Sequence, residues 1–168
     1  MKNEADFKRI FKNSVRKYKG YCISLAAPMI SGLPDLYCIM PGYIPVLLEA
    51  KYLGDVGDVF KRKIQYRPLQ RFWLDGCNKV YEYAAWGLVG FHHKGMYYCC
   101  LIHPVYDYIN SDLDFKSLYY VCNISKKEFN IQELFDKSCI GKIDAQQIVE
   151  QSVKYALDFT QDIDNMEG

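Results

Sequence analysis

Apolar positions in residues 3–18 recur at helical spacing. Phe7, Ile10, Phe11 and Val15 share one face, and Lys8, Arg9, Lys12, Arg16 and Lys17 occupy the others. This predicts an amphipathic helix stopped at Gly20. Tyr21 to Ala27 predicts a strand closed by Pro28, and Ser31-Gly32-Leu33-Pro34 a turn. The strand Asp35 to Met40 follows, then a tight reversal at Pro41-Gly42 and a returning strand from Ile44 to Tyr52. Gly54 to Asp58 predicts a flexible loop, and a basic segment runs from Lys61 to Arg67. Pro68 suits a first helical turn, and Leu69, Phe72, Gly76, Val80 and Tyr83 mark the expected buried stripe of a helix reaching about Ala85. Trp86 to His92 and Met96 to Ile102 predict a hairpin around Lys94-Gly95. Beyond Pro104 the pattern loosens, with a strand near Tyr119 to Asn123, helical stretches near 127–137 and 144–159, and a frayed acidic end from Gln161. The expected fold class is α/β, with a core over 1–103 and a strand and helical extension over 104–168.

Composition narrows the class of molecule. Half of the 168 residues are hydrophobic and 24% are charged, so a core can be buried and disorder of most of the chain is excluded. The apolar stretches are too short or too broken to cross a bilayer, and no apolar run follows the first residues. A soluble, intracellular protein is expected, with no membrane partner. Seven cysteines form no Cys-x-x-Cys, which predicts buried reduced thiols rather than a disulfide scaffold or a zinc site. Charge is uneven: 15 Lys and Arg against 8 Asp and Glu in residues 1–100, then 6 against 12 in residues 101–168. A basic body with an acidic extension fits a protein that meets a polyanion.

The informative feature is positional. A hairpin centred on Gly42 pairs residues whose numbers sum to 84, which sets Asp35 opposite Glu49. Two carboxylates then face each other about 5 Å apart at Cβ, and Lys51, two residues on, shares their face. The Ala50 side chain points the other way, but its carbonyl can turn toward the acids. Two carboxylates and a main-chain carbonyl suit a hard cation, Mg²⁺ or Mn²⁺. Such a site can assist phosphodiester hydrolysis, with Lys51 orienting the attacking water or offsetting charge on the phosphate. Glu-x-Lys alone carries no information, since 7 Glu and 16 Lys in 168 residues give about one occurrence by chance. Its context does: an apolar strand Val46-Leu47-Leu48 delivers it, Asp35 faces it, and Gln70 follows early in the next helix. The plain alternative is a turn acid at Asp35 and a same-face salt pair at Glu49 and Lys51.

Gly32-Leu33-Pro34-Asp35, Leu47-Leu48-Glu49-Ala50-Lys51 and Leu69-Gln70 resemble the PD-(D/E)xK nuclease superfamily, most closely its virus-type replication-repair (VRR-NUC) and Holliday junction resolvase branches. The resemblance covers residues 1–103. It implies a restriction-endonuclease-like core (αβββαβ, a mixed sheet flanked by helices). Asp35, Glu49 and the Ala50 carbonyl are its implied metal ligands, Lys51 its catalytic lysine, and Gln70 its glutamine near the scissile phosphate. Glu4, the one glutamate of the first helix, is its further ligand, although an acid at a helix start is also favourable at the dipole. The implied activity is Mg²⁺- or Mn²⁺-dependent DNA endonuclease cleavage of branched or structured DNA by a homodimer, with a viral or phage source. The alternatives are a non-catalytic nucleic-acid-binding or assembly subunit, or a nuclease for linear or single-stranded nucleic acid.

Lys61, Arg62, Lys63, Arg67 and Arg71 lie within eleven residues that contain no acid. With Lys8, Lys12 and Arg16 of the first helix, they are the expected phosphate contacts. Tyr66, Phe72 and Trp73 offer stacking to unpaired bases, with Phe72 preferred as a core residue. The extension over 104–168 is expected to pack on the core, form a dimer contact or compete with DNA for the basic face.

Overall fold

The computed structural model of the chain describes residues 2–25, 31–57, 61–80, 84–93, 95–103, 108–110, 121–124, 128–136 and 138. In chain order these form α1 (Glu4–Lys17), β1 (Tyr21–Ser24), β2 (Leu36–Ile39), β3 (Val46–Asp55), β4 (Lys61–Lys63), α2 (Pro68–Val80), β5 (Ala85–His93), β6 (Met96–Ile102), β7 (Tyr108–Asn110), β8 (Val121–Ile124) and α3 (Ile131–Asp136). Six strands make one mixed sheet in the order β1-β2-β3-β5-β6-β8, and β4 pairs separately with β7. Within the large sheet β3 and β5 run parallel, joined through α2, and the other neighbours are antiparallel. The α/β class read from the pattern is therefore present. The helix expected near 144–159 and the acidic end lie outside the described residues.

α1 forms where its apolar stripe predicts. Asn3 caps it, the side-chain Oδ1 accepting from the Asp6 amide at 2.9 Å. At the other end the residue in left-handed conformation is Lys19 (φ 59°), not Gly20. Lys19 donates to the Arg16 carbonyl and Gly20 to the Val15 carbonyl, each at 3.0 Å, the paired bonds that close a helix C-terminus. Gly20 is needed for space, since a Cβ there would lie 2.6 Å from Met40 Sδ. The buried side of α1 (Phe7, Ile10, Phe11, Ser14 and Val15) packs on one sheet face with α3 and Phe129. Phe129 meets Phe7 edge-on at 5.8 Å. β5 accepts α1 at Gly90, where a Cβ would stand 2.7 Å from the Phe7 ring.

The β2–β3 register is the expected one: Leu36 pairs with Leu48, Tyr37 with Leu47, and Cys38 with Val46. β3 runs three residues further than its pattern suggests, to Asp55, with a register irregularity between Tyr52 and Asp55 and Gly54 at φ +71°. The basic segment contributes a three-residue strand, β4, that nothing in its sequence signals.

α2 departs most from expectation. Its described part runs to Val80, and Ala85, where the expected helix reached, belongs to β5; of the expected buried stripe Leu69, Phe72 and Val80 face outward, exposed by 50%, 70% and 88%, and Tyr83 lies outside the described residues. Phe72 is therefore not a core residue. The inward face is Gln70, Leu74 and Asn78, four residues apart, of which only Leu74 is fully buried. The sheet beneath is already filled by a second cluster, Val56, Ile64, Val89, Phe91, Cys100 and Ile102, with Tyr66 packed against it. Polar anchors hold α2 instead. Asn78 brackets Ala85, accepting from its amide at 2.8 Å and donating to its carbonyl at 2.9 Å. Among the described side chains Cys22, Cys38, Cys99 and Cys100 are buried cysteines and Cys77 is half-buried.

Candidate active site

β2 begins only at Leu36, so β3 beyond Leu48 has no backbone partner on that side within the ladder. Asp35, one residue before β2, fills the gap: its Oδ2 accepts from the Ala50 amide at 3.0 Å, and its own carbonyl accepts from Leu25 at 2.9 Å. A strand residue directs its N–H and C=O to the same side, so the Ala50 carbonyl also faces the Asp35 side. The Ala50 methyl points into the α1-side core. Alternation then turns Glu49 and Lys51 toward α2.

Glu49 is 1% exposed. Its Oε1 accepts from Lys51 Nζ at 2.7 Å and from Gln70 Nε2 at 2.5 Å, whereas Oε2 is buried without a hydrogen-bond partner. Burial pushes the Glu49 pKa up to about 7; the charges of Asp35 and Glu4 add to this, and Lys51 opposes it. Gln70 is the third residue of α2. Its Oε1 accepts from the Arg67 amide at 2.9 Å, the backward half of a capping box, and from Lys51 Nζ at 3.3 Å. Helix capping and the site therefore share one side chain, with the glutamine fixed by the helix start and its amide nitrogen directed at Glu49.

Lys8 is the site residue that the sequence does not reveal. Its pattern placed it on a basic outer face, but its Nζ lies 2.9 Å from Asp35 Oδ1 and 3.3 Å from Glu4 Oε1. Burial works against the ammonium, yet Asp35 and Glu4 outweigh it and hold its pKa above the ordinary lysine value. One signal was available: Glu4 and Lys8 are an i, i+4 pair one turn from the helix start. Glu4 thus reaches the cleft by way of Lys8. Lys12 donates to Ser24 Oγ at 3.1 Å, and Arg16 is exposed one turn further on.

These side chains line a cleft of about 610 Å³ between Glu4, Asp35, Glu49, Lys51, Arg67 and Gln70. Lys51 and Arg67 also line an adjoining groove of about 470 Å³, completed by Lys63, Tyr66 and Arg71. The Tyr66 ring lies 5.1 Å from the Arg71 guanidinium and 6.0 Å from Lys51 Nζ. Its hydroxyl is wedged against Gly87, where a Cβ would stand 1.9 Å away. Lys61 and Arg62 lie on β4, and their side chains fall outside the described residues. Phe72 and Trp73 line a different, apolar depression.

Among the described residues no group of three or more His, Cys, Asp or Glu side chains is arranged to hold a metal ion. The donors present are the carboxylates of Asp35 and Glu49 and the Ala50 carbonyl. All are hard oxygens, and one is a buried carboxylate oxygen without a partner, so the set suits Mg²⁺ or Mn²⁺ better than a soft cation. No protein-family model matches the chain, and no curated protein shows significant sequence similarity to it. Among the described residues no helix is long and apolar enough to cross a membrane.

Proposed function

We propose that this chain is a divalent-cation-dependent DNA endonuclease with a restriction-endonuclease-like core, selective for branched or otherwise structured DNA. The observation that carries the reading is Glu49 Oε2, a buried carboxylate oxygen with no partner, beside Asp35 in a cleft that opens onto a groove of basic side chains. Leaving such an atom unpaired costs about 1–3 kcal/mol or more for a charged group, and a bound cation removes that cost. Asp35, Glu49 and the Ala50 carbonyl would hold Mg²⁺ or Mn²⁺, which supplies charge stabilisation at the phosphate and activation of water.

The chain's own groups supply the rest. Lys63, Arg67 and Arg71 grip backbone phosphates in the groove. Lys51, held between Glu49 and Gln70, stands where cleft and groove meet and offsets charge growing on the phosphate oxygens. Gln70 fixes Glu49 and Lys51 relative to each other. The structured-substrate preference and a homodimeric state rest on the resemblance to the resolvase-like branches of the PD-(D/E)xK nucleases.

A second reading, a DNA-binding subunit that cuts nothing, is favoured by one observation. Lys8 already places an ammonium between Asp35 and Glu4, where it neutralises part of the acidic charge. Cleavage of four-way junction, flap, duplex and single-stranded DNA with Mg²⁺ or Mn²⁺ separates the two readings. The nuclease reading expects cation-dependent products that vanish in Glu49→Ala and Lys51→Ala while DNA retention persists. Retention without products from any substrate assigns the binding subunit, and full activity of Glu49→Ala removes the proposed chemistry.

A further inference from the structure

Two cysteines meet on the outermost pair of strands. Cys22 of β1 stands directly opposite Cys38 of β2 in the ladder, and both side chains are buried in the cluster that holds Val15 and Met40. The phase of the ladder fixes how close they come. Antiparallel pairs alternate between hydrogen-bonded positions, with Cα atoms about 5.5 Å apart, and narrower unbonded positions at about 4.5 Å. Leu25 donates to the Asp35 carbonyl at 2.9 Å, which makes Leu25 and Asp35 a bonded position. Counting back along the register, Ile23 with Tyr37 and Tyr21 with Ile39 are bonded too, and Cys22 with Cys38 falls on the narrow kind. A disulfide needs Cα atoms about 4.4–6.8 Å apart and Cβ vectors that do not diverge. Opposed residues on one face of a ladder meet both conditions.

The two thiols also bond to each other. Cys38 donates to the Cys22 sulfur, which holds the Cys22 thiol below its usual pKa against the effect of burial, with Lys12 and Arg16 of α1 adding to this. The Cys38 thiol is pushed up by the same bond and by burial. The thiolate, which is the nucleophile, therefore forms at Cys22.

We propose that Cys22 and Cys38 are an oxidation site, where exchange with a small-molecule disulfide converts the dithiol to a cross-strand disulfide that clamps β1 onto β2. The Cys22 thiolate attacks one sulfur of the small disulfide and expels a thiolate, leaving a mixed disulfide. Cys38 then gives up its proton, attacks the Cys22 sulfur and expels the second thiolate. Two cysteine thiols lose two electrons, and the incoming disulfide is reduced to two thiols. Access comes from the place of β1, four residues long at the end of the strand order, where a sheet frays most readily. Cys100 lies instead on the inner strand β6 with its thiol donated to the Val89 carbonyl at 3.6 Å. The clamp bears on the cleft, because the same ladder continues to the Leu25 amide that holds the Asp35 carbonyl.

Trypsin isolates the pair, since residues 20–51 contain no Lys or Arg before Lys51 and no other cysteine. The native full-length chain is equilibrated with oxidised and reduced glutathione, trapped with N-ethylmaleimide in urea, digested and weighed by mass spectrometry. The expected 20–51 peptide is two hydrogens lighter and carries no maleimide, and dithiothreitol before trapping returns it to the doubly labelled form. Amide exchange at the bonded positions Tyr21, Ile23, Tyr37 and Ile39 slows several-fold on oxidation. Cys38→Ala, which removes only the resolving thiol, retains one glutathione on Cys22. Double labelling of the wild-type peptide under excess oxidised glutathione overturns the proposal. So does a disulfide that forms only after prior unfolding in urea, or one that links two chains. Unchanged amide exchange in the oxidised chain overturns the clamp.

Discussion

The two faces of the sheet are built by opposite rules. On one face, α1 buries five of its fourteen residues, and α3 and Phe129 close the remaining surface. On the other, α2 fully buries only Leu74 of thirteen residues and is held by Asn78 on the Ala85 backbone and by Gln70 on Glu49. The first face supplies stability through apolar packing. The second leaves room for a cleft whose walls are polar and whose floor is Glu49. The proposed function thus rests on the face that gives up packing, and the closed face maintains the fold.

The sharpest way to break this contrast is at Phe7, fully buried beneath Gly90 and against Phe129. Phe7→Ala is expected to cost about 3–5 kcal/mol in urea unfolding. Equal loss from Phe72→Ala would show that the two faces share the load. The next effect is expected at the floor of the cleft. Because Glu49 is held up to about 7 in the fold, the folded chain binds that proton more tightly than the unfolded one. Its contribution to stability is full below pH 4.5, declines as pH rises toward 7, and is gone above it. Glu49→Gln should therefore flatten the metal-free pH profile and be more stable at pH 8 by on the order of 1–3 kcal/mol. Parallel profiles for the two proteins would deny the burial argument. Mg²⁺ or Mn²⁺ should recover that stability in the wild-type chain and not in Glu49→Gln. The smallest effects belong to the groove: Lys63→Ala and Arg71→Ala should each weaken DNA retention at all sequences and lower the salt slope by about one. An unchanged slope would place the phosphates elsewhere.

How much of this was legible in the sequence follows the same division. The closed face was readable because α1 obeys the rule that apolar means inward. The β2–β3 register was readable because Pro41-Gly42 sets a symmetric reversal, with Gly42 at φ +81°, so that Asp35 and Glu49 fall together by counting. α2 was misread because its inward residues at 70 and 78 are amides that bond to the sheet, while its apolar stripe looks outward; periodicity gives a stripe but not its direction. Lys8 escaped because charge on a helix reads as solvated surface unless a carboxylate from another element is known to approach it. β4 and β7, three residues each, are too short to leave a period.

Gly32 ties the two halves of the cleft together. Its backbone stands at φ +84°, and a Cβ there would lie 2.4 Å from the Leu69 Cβ, so the segment leading to Asp35 rests directly on the first turn of α2, which carries Gln70. With the chain packed this closely at Leu69, the spacing of acid and amide across the mouth is set by a direct contact. An alanine at this position would act as a shim, pushing the segment that carries Asp35 away from the turn that carries Gln70.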